Sequence, residues 1–129
     1  MLEYFRPDKL EDALDVLSEY PLTLLAGGTD FYPARVGKPI TEKVLDLTGI
    51  QGLRFIKQTN EGFSLGALTT WTDIIQAELP SAFDGLKKAA KTIGGIQTQN
   101  AGTICGNICN ASPAADSVPN LMALSAKVE

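Results

Sequence analysis

Two glycine-rich segments hold the residues best suited to bind a ligand. The first is Ala26-Gly27-Gly28-Thr29, and the second runs from Gly102 to Asn107 with the sequence GTICGN. Closely spaced backbone N–H groups in tight turns form concavities that bind anions, and the N-terminus of a following helix adds a favourable dipole. Together the segments predict a pyrophosphate site that needs no lysine. At the first segment the alternative is an ordinary glycine turn after a strand, and both interpretations stay open.

The second segment belongs to a longer stretch, residues 92–115, that contains no Asp, Glu, Lys, Arg or His. Glycines there let a ligand come close to the backbone, and Thr, Asn and Gln offer neutral hydrogen bonds that need no counter-ion. Such a composition is typical of a binding loop. We therefore predict a loop at 92–115 that contacts a large neutral or anionic cofactor.

The elements that position the first segment are predicted as a helix, a strand, a helical turn and a second strand. The helix is capped by Asp8 and ends at Tyr20-Pro21. Apolar runs at 22–26 and 43–47 predict the strands, and the helical turn lies at 30–36. Such a β-α-β unit normally has parallel, buried strands. The helix face that we expect to be buried contains Leu10, Ala13, Leu14 and Leu17.

Residues beyond about position 50 indicate a second lobe. Alternating runs at 53–57 and 63–65 flank Asn60-Glu61-Gly62, which predicts a hairpin. Two helices are predicted at 71–78 and 82–92. Each begins where a hydroxyl residue precedes an aspartate by three positions, a spacing that resembles a capping box. These pairs are Thr70 with Asp73 and Ser81 with Asp84.

The last part of the sequence predicts one more helix and a strand. The helix begins at Ser112-Pro113 and has an apolar face with Leu121, Met122 and Leu124. The strand at 126–129 would have no partner within the sequence, and unpaired buried strands leave backbone groups unsatisfied. We therefore expect the sequence to be the first part of a longer chain.

Composition and cysteine usage exclude several classes of function. The net charge is −4 and the Lys and Arg residues are scattered, so no nucleic-acid surface is predicted. Neither a signal peptide nor a membrane span is indicated, which predicts a cytoplasmic protein. Cys105 and Cys109 cannot complete a zinc site without histidine, and two cysteines are too few for an iron–sulfur cluster. We interpret both cysteines as packing residues.

Four motifs, in order, resemble the FAD-binding subunits of molybdenum hydroxylases, which include xanthine and carbon monoxide dehydrogenases. They are LLAGGTDF at 24–31, LGALTTWTDI at 65–74, IGGIQTQNAGTICGN at 93–107 and NASPAADSVPNLMAL at 110–124. This resemblance implies an α/β (α+β) fold, the two-lobed FAD-binding domain of the vanillyl-alcohol-oxidase (PCMH) type. Residues 1–50 would form a small β-α-β lobe, and residues 51–129 an incomplete second lobe with antiparallel strands and helices.

The resemblance also implies the residues that bind FAD. The loop that wraps the pyrophosphate and flavin maps onto Leu24, Leu25, Ala26, Gly27, Gly28 and Thr29, with Phe31 close by. The second loop maps onto Gly102, Thr103, Ile104, Cys105, Gly106 and Asn107, preceded by Ile93 and Gly94. Asp116 would bind the ribose or adenosine side.

Asp30 and Asp116 keep alternatives open, and Cys105 departs from the family's pattern. Asp30 would lie near the flavin ring, or it is a helix cap. Asp116 accepts hydrogen bonds from ribose hydroxyls, or it is a first-turn residue favoured by the helix dipole. Cys105 stands where the family commonly has glycine. We expect its Cβ to narrow the gap to the phosphate, and FAD would still bind if Gly106 takes the strained conformation.

The function implied by the resemblance is electron transfer within a multi-subunit oxidoreductase. FAD would accept electrons from [2Fe-2S] clusters on a partner subunit and pass them to NAD or another acceptor, while molybdopterin would lie on a further subunit. The flavin supplies the chemistry, so no acid–base or nucleophilic residue is predicted. Two alternatives are a folded fragment without bound FAD and a module that only docks partner subunits.

Overall fold

The computed structural model describes residues 3–112 and 114–129, and over these residues it has two lobes. The first contains a parallel sheet of β1 (Tyr4–Phe5), β2 (Thr23–Leu25) and β3 (Val44–Asp46), with helix α1 (Leu10–Glu19) after β1. The second contains an antiparallel hairpin and five helices. The predicted mixture of helices and strands is confirmed, whereas the domain boundary at residue 50 stays a prediction.

In the first lobe the strand order is β1-β3-β2, so β3 is central and pairs in parallel with both neighbours. Val44 and Leu45 of β3 are buried, as the apolar run predicted. The predicted helical turn at 30–36 is present as a 3₁₀ turn at Pro33–Arg35. Strand β1 was not predicted because two residues carry no periodicity. The predicted parallel pairing of the strands at 22–26 and 43–47 is confirmed by β2 and β3, and β1 adds a third strand on the other side of β3.

The predicted burial of α1 is wrong. Only Ala13 is buried, against Leu45 and Ile50, while Leu10, Leu14 and Leu17 are 48%, 55% and 42% exposed. The three strands are so short that the sheet covers a narrow stripe of the helix. The predicted Asp8 cap is also wrong, because the N-cap position is Lys9 and no side chain caps the helix there.

Asp46 anchors the C-terminal end of β3. It is buried, and burial by itself would raise the pKa of its carboxyl group. Hydrogen bonds from Thr48 and Tyr4 outweigh burial and hold that pKa below its ordinary value. The same bond to Asp46, which favours the protonated phenol, raises the pKa of Tyr4 to about 12. A buried carboxylate is tolerated only when it is hydrogen-bonded. Because one of these hydrogen bonds comes from Tyr4, it also ties β1 to β3.

The second lobe is built around one apolar core that includes Trp71, Ile74 and Leu86. The predicted hairpin is confirmed, with Ile56 opposite Leu65 in register, although its first strand lies at Ile56–Thr59 and not at 53–57. No helix within the described residues is both long and apolar enough to cross a membrane. The elements of this lobe are β4 (Ile56–Thr59), β5 (Gly62–Leu65), α2 (Trp71–Gln76), α3 (Asp84–Ala90), α4 (Ile96–Ala101), α5 (Ile104–Asn110) and α6 (Ser117–Ala123).

The two predicted capping boxes have different outcomes. At α2 the box is confirmed: the Thr70 hydroxyl accepts the Asp73 N–H, and the Asp73 carboxylate accepts the Thr70 N–H, both at 3.1 Å. Arg54 donates two hydrogen bonds to the same carboxylate, at 2.7 and 2.8 Å. At Ser81 the prediction is wrong, because Pro80 occupies the N-cap position of a 3₁₀ turn and no side chain caps it.

Three predictions near the C-terminus are also wrong. The stretch 92–115 is not one loop, since α4 and α5 lie within it and their ends are set by Gly95, Gly102 and Thr103. The helix predicted from Ser112 starts at Ser117 instead, and Pro113 lies outside the described residues. No strand forms at 126–129.

Replacing Asp73 with alanine is expected to lower the free energy of unfolding by about 1 kcal/mol, mainly through the lost cap, because the exposed Arg54 is screened by solvent. Arg54 is the main cause that lowers the pKa of Asp73. Because the pKa of Asp73 is lowered in the folded state, its carboxylate stabilises the fold at pH values above the unfolded-state pKa of about 3.9. That stabilisation is lost as the pH falls through the folded-state pKa.

Urea unfolding at neutral and acidic pH measures this difference. The difference in the free energy of unfolding between wild type and Asp73→Ala should become smaller at acidic pH. Glu61→Gln is the control, because the Glu61 side chain makes no hydrogen bond or ion pair with the described residues. A gap that stays constant with pH would contradict the assignment.

Candidate functional site

A cleft of about 660 Å³ lies between the loop after β2 and the helices α4 and α5. Its volume falls within the roughly 300–1,000 Å³ of small-molecule sites. Of the predicted site residues, Ile104 alone does not line it, because its side chain is buried in the core of the second lobe. The lining residues that were predicted are Leu24, Leu25, Ala26, Gly27, Gly28, Thr29, Asp30, Phe31, Ile93, Gly94, Gly102, Thr103, Cys105, Gly106, Asn107 and Asp116.

The two glycine segments meet because Gly27 has no side chain. A Cβ built on Gly27 would lie 1.9 Å from the carbonyl oxygen of Ala101, at the end of α4. Only glycine allows this approach between backbone atoms. The structure thus brings the two predicted segments to one cleft.

The first segment leaves several donors available for a ligand. Gly28 has a φ of +74°, a left-handed conformation that favours glycine. In the part of the chain that the structure describes, no acceptor takes the N–H groups of Gly27, Gly28 or Thr29. Backbone donors that are not deeply buried can remain without a protein partner when solvent or a ligand accepts them. This arrangement suits an anionic group.

The second segment is held by its own hydrogen bonds. The Thr103 hydroxyl accepts the Gly106 N–H at 3.1 Å and so caps α5. Ser117 is fully buried and donates to the side-chain oxygen of Asn107, which ties α5 to α6. These contacts fix Thr103 and Asn107 at the cleft wall.

A backbone bridge joins the starts of α2 and α5. The Trp71 N–H donates to the Gly102 carbonyl at 3.2 Å, and the Ile104 N–H donates to the Thr69 carbonyl at 2.9 Å. Thr70 and Thr103 face each other in this antiparallel bridge. The cleft wall is therefore attached to the core of the second lobe.

The expected strain around Cys105 is absent. Cys105 and Gly106 both lie in the first turn of α5, and neither has a positive φ. Because any L-residue adopts helical dihedrals, the Cβ of Cys105 imposes no backbone cost, and Gly106 does not need to take a strained conformation. Cys105 packs against the core, as predicted, but Cys109 is exposed.

Arg35 lines the cleft and was not predicted. Its guanidinium lies 3.8 Å from the centre of the Phe31 ring, donates to the Phe31 carbonyl at 2.8 Å and pairs with Glu42 at 2.5 Å. Backbone hydrogen bonding, followed by the bond from Arg35, lowers the pKa of Glu42. The spacing of four residues between Phe31 and Arg35 is the signal that could have identified the pair.

The two carboxylates of the cleft are exposed. The Asp30 side chain makes no hydrogen bond within the described residues, and the nearby 3₁₀ turn has Tyr32 at its N-cap position, so the interpretation of Asp30 as a cap is wrong. Asp116 occupies the N-cap position of α6 without a side-chain cap bond. Both of its interpretations stay open. Other lining residues that were not predicted include Trp71, Thr92, Thr98, Cys109, Asn110 and Ser112.

A family model described as "FAD binding domain in molybdopterin dehydrogenase" matches residues 1–129. The glyceraldehyde dehydrogenase medium chain of Sulfolobus acidocaldarius is 37% identical over 97% of this chain and 46% of its own length. The nicotinate dehydrogenase FAD-subunit of Eubacterium barkeri is 35% identical over 98% of this chain and 44% of its own length. The chain spans about half the length of the curated relatives that it matches.

Solved structures give the same result for the fold. Carbon monoxide dehydrogenase from Hydrogenophaga pseudoflava matches with a TM-score of 0.79 and 32% identity, over 90% of this chain and 42% of that one. Carbon monoxide dehydrogenase from Oligotropha carboxidovorans matches with a TM-score of 0.79 and 28% identity, over 91% and 42%. The predicted fold class is confirmed by these similarities.

Proposed function

Because the chain belongs to the family of FAD-binding domains in molybdopterin dehydrogenases, we propose that it binds FAD in the cleft between its lobes. The family match confirms the predicted family and its cofactor. The observation that carries the proposal is the contact between the two glycine segments, which Gly27 makes possible. It brings the available N–H groups of the first segment and the Thr103–Asn107 wall of the second segment to one cleft.

The polar ends of the cofactor fit the polar residues of the cleft. The free N–H groups of Gly27, Gly28 and Thr29 would donate to the pyrophosphate, with no lysine required. Asn107, held by Ser117, offers a neutral hydrogen-bonding group on the opposite wall. The exposed carboxylate of Asp116 would accept hydrogen bonds from the ribose hydroxyls. These residues bind and orient the cofactor.

Apolar residues would exclude water from the ring system. Leu24, Leu25 and Ile93 line the cleft, and the Phe31 ring is held in place by Arg35. Arg35 is already paired with Glu42, so it supports the wall without adding an uncompensated charge. When bound, FAD supplies the acceptance and release of electrons, and the protein positions its ring and tunes its environment.

For the whole protein we propose electron transfer within a multi-subunit molybdenum hydroxylase. Electrons would come from iron–sulfur clusters on a partner subunit and leave to NAD or another acceptor, with molybdopterin on a further subunit. The relatives named as FAD subunits of nicotinate and xanthine dehydrogenases support this. The sequence has two cysteines, fewer than the four ligands of a cluster, which supports a location of the clusters outside these 129 residues.

FAD titration of the purified chain tests the proposal. We expect a stoichiometry near one and quenching of Trp71, the single tryptophan, which lines the cleft. Riboflavin lacks the pyrophosphate that the glycine segments would hold. Its affinity should be lower by about tenfold or more, or about 1.4 kcal/mol. A folded chain that takes up no FAD, or that binds riboflavin equally well, would refute the proposed site.

The exposed face of α1 favours a second candidate, a subunit-docking role. Leu10, Leu14 and Leu17 are exposed on one side of the helix, and residues 10–19 carry Glu and Asp but no Lys or Arg. Exposed apolar patches are typical of interaction surfaces. Binding of the iron–sulfur subunit to the flavin-free chain, weakened by Leu14→Ser, would support this role, and unchanged binding by that variant would oppose it.

A further inference from the structure

Cys105 and Cys109 lie one helical turn apart on α5, and both line the cleft. Side chains four residues apart share one helix face, with Cβ atoms about 5–6 Å apart. Cys105 is half-buried, Cys109 is exposed, and neither forms a disulfide. The wall of the cleft thus carries two free thiols on one face of α5.

We propose that Cys105 and Cys109 form a chelating site for a soft, thiophilic ion or group such as trivalent arsenic. Thiolates are the protein ligands that soft ions prefer, and a pair of thiols binds more tightly than one because the second bond is intramolecular. Within the described residues, no group of three or more His, Cys, Asp or Glu could hold a metal ion. The described residues therefore form no site for harder ions. The expected ligand is one that two sulfur atoms are sufficient to bind.

The protonated state of the Cys105 thiol favours soft ions over oxidants that react only with a free thiolate. Burial, with a smaller effect from Cys109, raises the pKa of the Cys105 thiol. Thiols with a raised pKa react slowly as nucleophiles, whereas a bound soft ion displaces the proton outright. Cys109 is exposed and is the entry point, and Cys105 closes the chelate.

The position of the two thiols gives the site a consequence for the cofactor. Both are on the wall that also carries Gly106 and Asn107. A ligand that bridges them would occupy the space assigned to FAD, so binding of one excludes the other. This exclusion rests on the proposed function, whereas the dithiol site itself does not.

Phenylarsine oxide is the probe. The two thiols each give up a proton, two arsenic–sulfur bonds form, and the oxide oxygen leaves as one water, with arsenic remaining trivalent. We expect the reduced, flavin-free chain to gain one phenylarsenic group by intact mass. The adduct should survive excess glutathione and be removed by 2,3-dimercaptopropanol.

Two matched variants test the chelate. Cys105→Ser and Cys109→Ser each keep one thiol, so both should lose the glutathione-resistant adduct, with at least a tenfold lower retention. Circular dichroism checks that they fold. A wild-type chain that forms no resistant adduct, or a folded single variant that keeps it, would overturn the dithiol site.

A competition experiment tests the location. Saturation with FAD should slow arsenical uptake by tenfold or more, and the arsenical should release bound FAD. Unchanged uptake in the FAD-bound chain would overturn the proposed exclusion between FAD and a ligand of the two thiols. If the chain binds no FAD at all, arsenical uptake by the flavin-free protein still decides the dithiol site separately.

Discussion

Gly27→Ala is expected to abolish detectable FAD binding and to lower the free energy of unfolding by about 1–3 kcal/mol, the usual cost of overpacking. The new Cβ would lie 1.9 Å from the Ala101 oxygen, 2.5 Å from its carbonyl carbon and 3.0 Å from the Gly102 Cα. All three are backbone atoms, so no side chain can rotate away. The end of α4 must move away from the first segment, which separates the two walls of the cleft.

Gly95→Ala is the matched control for this change. Gly95 has a φ of −88°, and a Cβ there meets nothing within 4 Å. It also does not line the cleft, so we expect FAD affinity to be unchanged. Because Gly95 is the N-cap of α4, where glycine is preferred to alanine, the free energy of unfolding should fall by no more than about 1 kcal/mol. FAD titration and urea unfolding measure both quantities. Wild-type affinity in Gly27→Ala would mean that the two segments do not form one site.

Trp71→Ala should cost about 3–5 kcal/mol, the largest stability change expected of a single substitution in this chain. Trp71 is 1% exposed at the centre of the second-lobe core and also lines the cleft. Since domains are typically stable by only about 5–15 kcal/mol, the variant should be largely unfolded at moderate temperature. Its ring lies beside Gly102, so the cleft wall should loosen with the core.

Circular dichroism is the suitable measurement, because the variant has no tryptophan left to report by fluorescence. Trp71→Phe serves as the comparison, as it keeps an apolar ring in the same place and should cost clearly less than the alanine change. A loss below about 1 kcal/mol in Trp71→Ala would show that the second lobe does not depend on this side chain.

Much of the architecture was predictable because it depends on local patterns. The apolar runs of β2 and β3, the hairpin turn and the Thr70 capping box each lie within a few residues. The burial of α1 was not predictable, since it depends on how much of the helix a sheet of three short strands can cover. Sequence shows the apolar face of Leu10, Leu14 and Leu17 but not the size of the surface that receives it.

The candidate site was likewise predictable only where it depends on local sequence motifs. Sixteen of the seventeen predicted residues line the cleft, because the motifs carry those positions directly. The conformation of 92–115 was predicted wrongly because Thr, Asn, Gln and Gly are poor indicators of helix. The two helices there depend on contacts with distant residues, such as the bond from Ile104 to Thr69. Arg35 was missed because its role depends on Phe31 and Glu42 together.

The backbone bridge between Thr70 and Thr103 has a consequence for how the second lobe opens. The two helices α2 and α5 start side by side, and each start supplies hydrogen bonds that the other needs. Fraying of one start therefore uncaps the other, so the pair should open as a single cooperative unit. Amide hydrogens of α2 and α5 should then exchange with solvent at a common rate, and a ligand held by α5 should slow exchange in α2 as well.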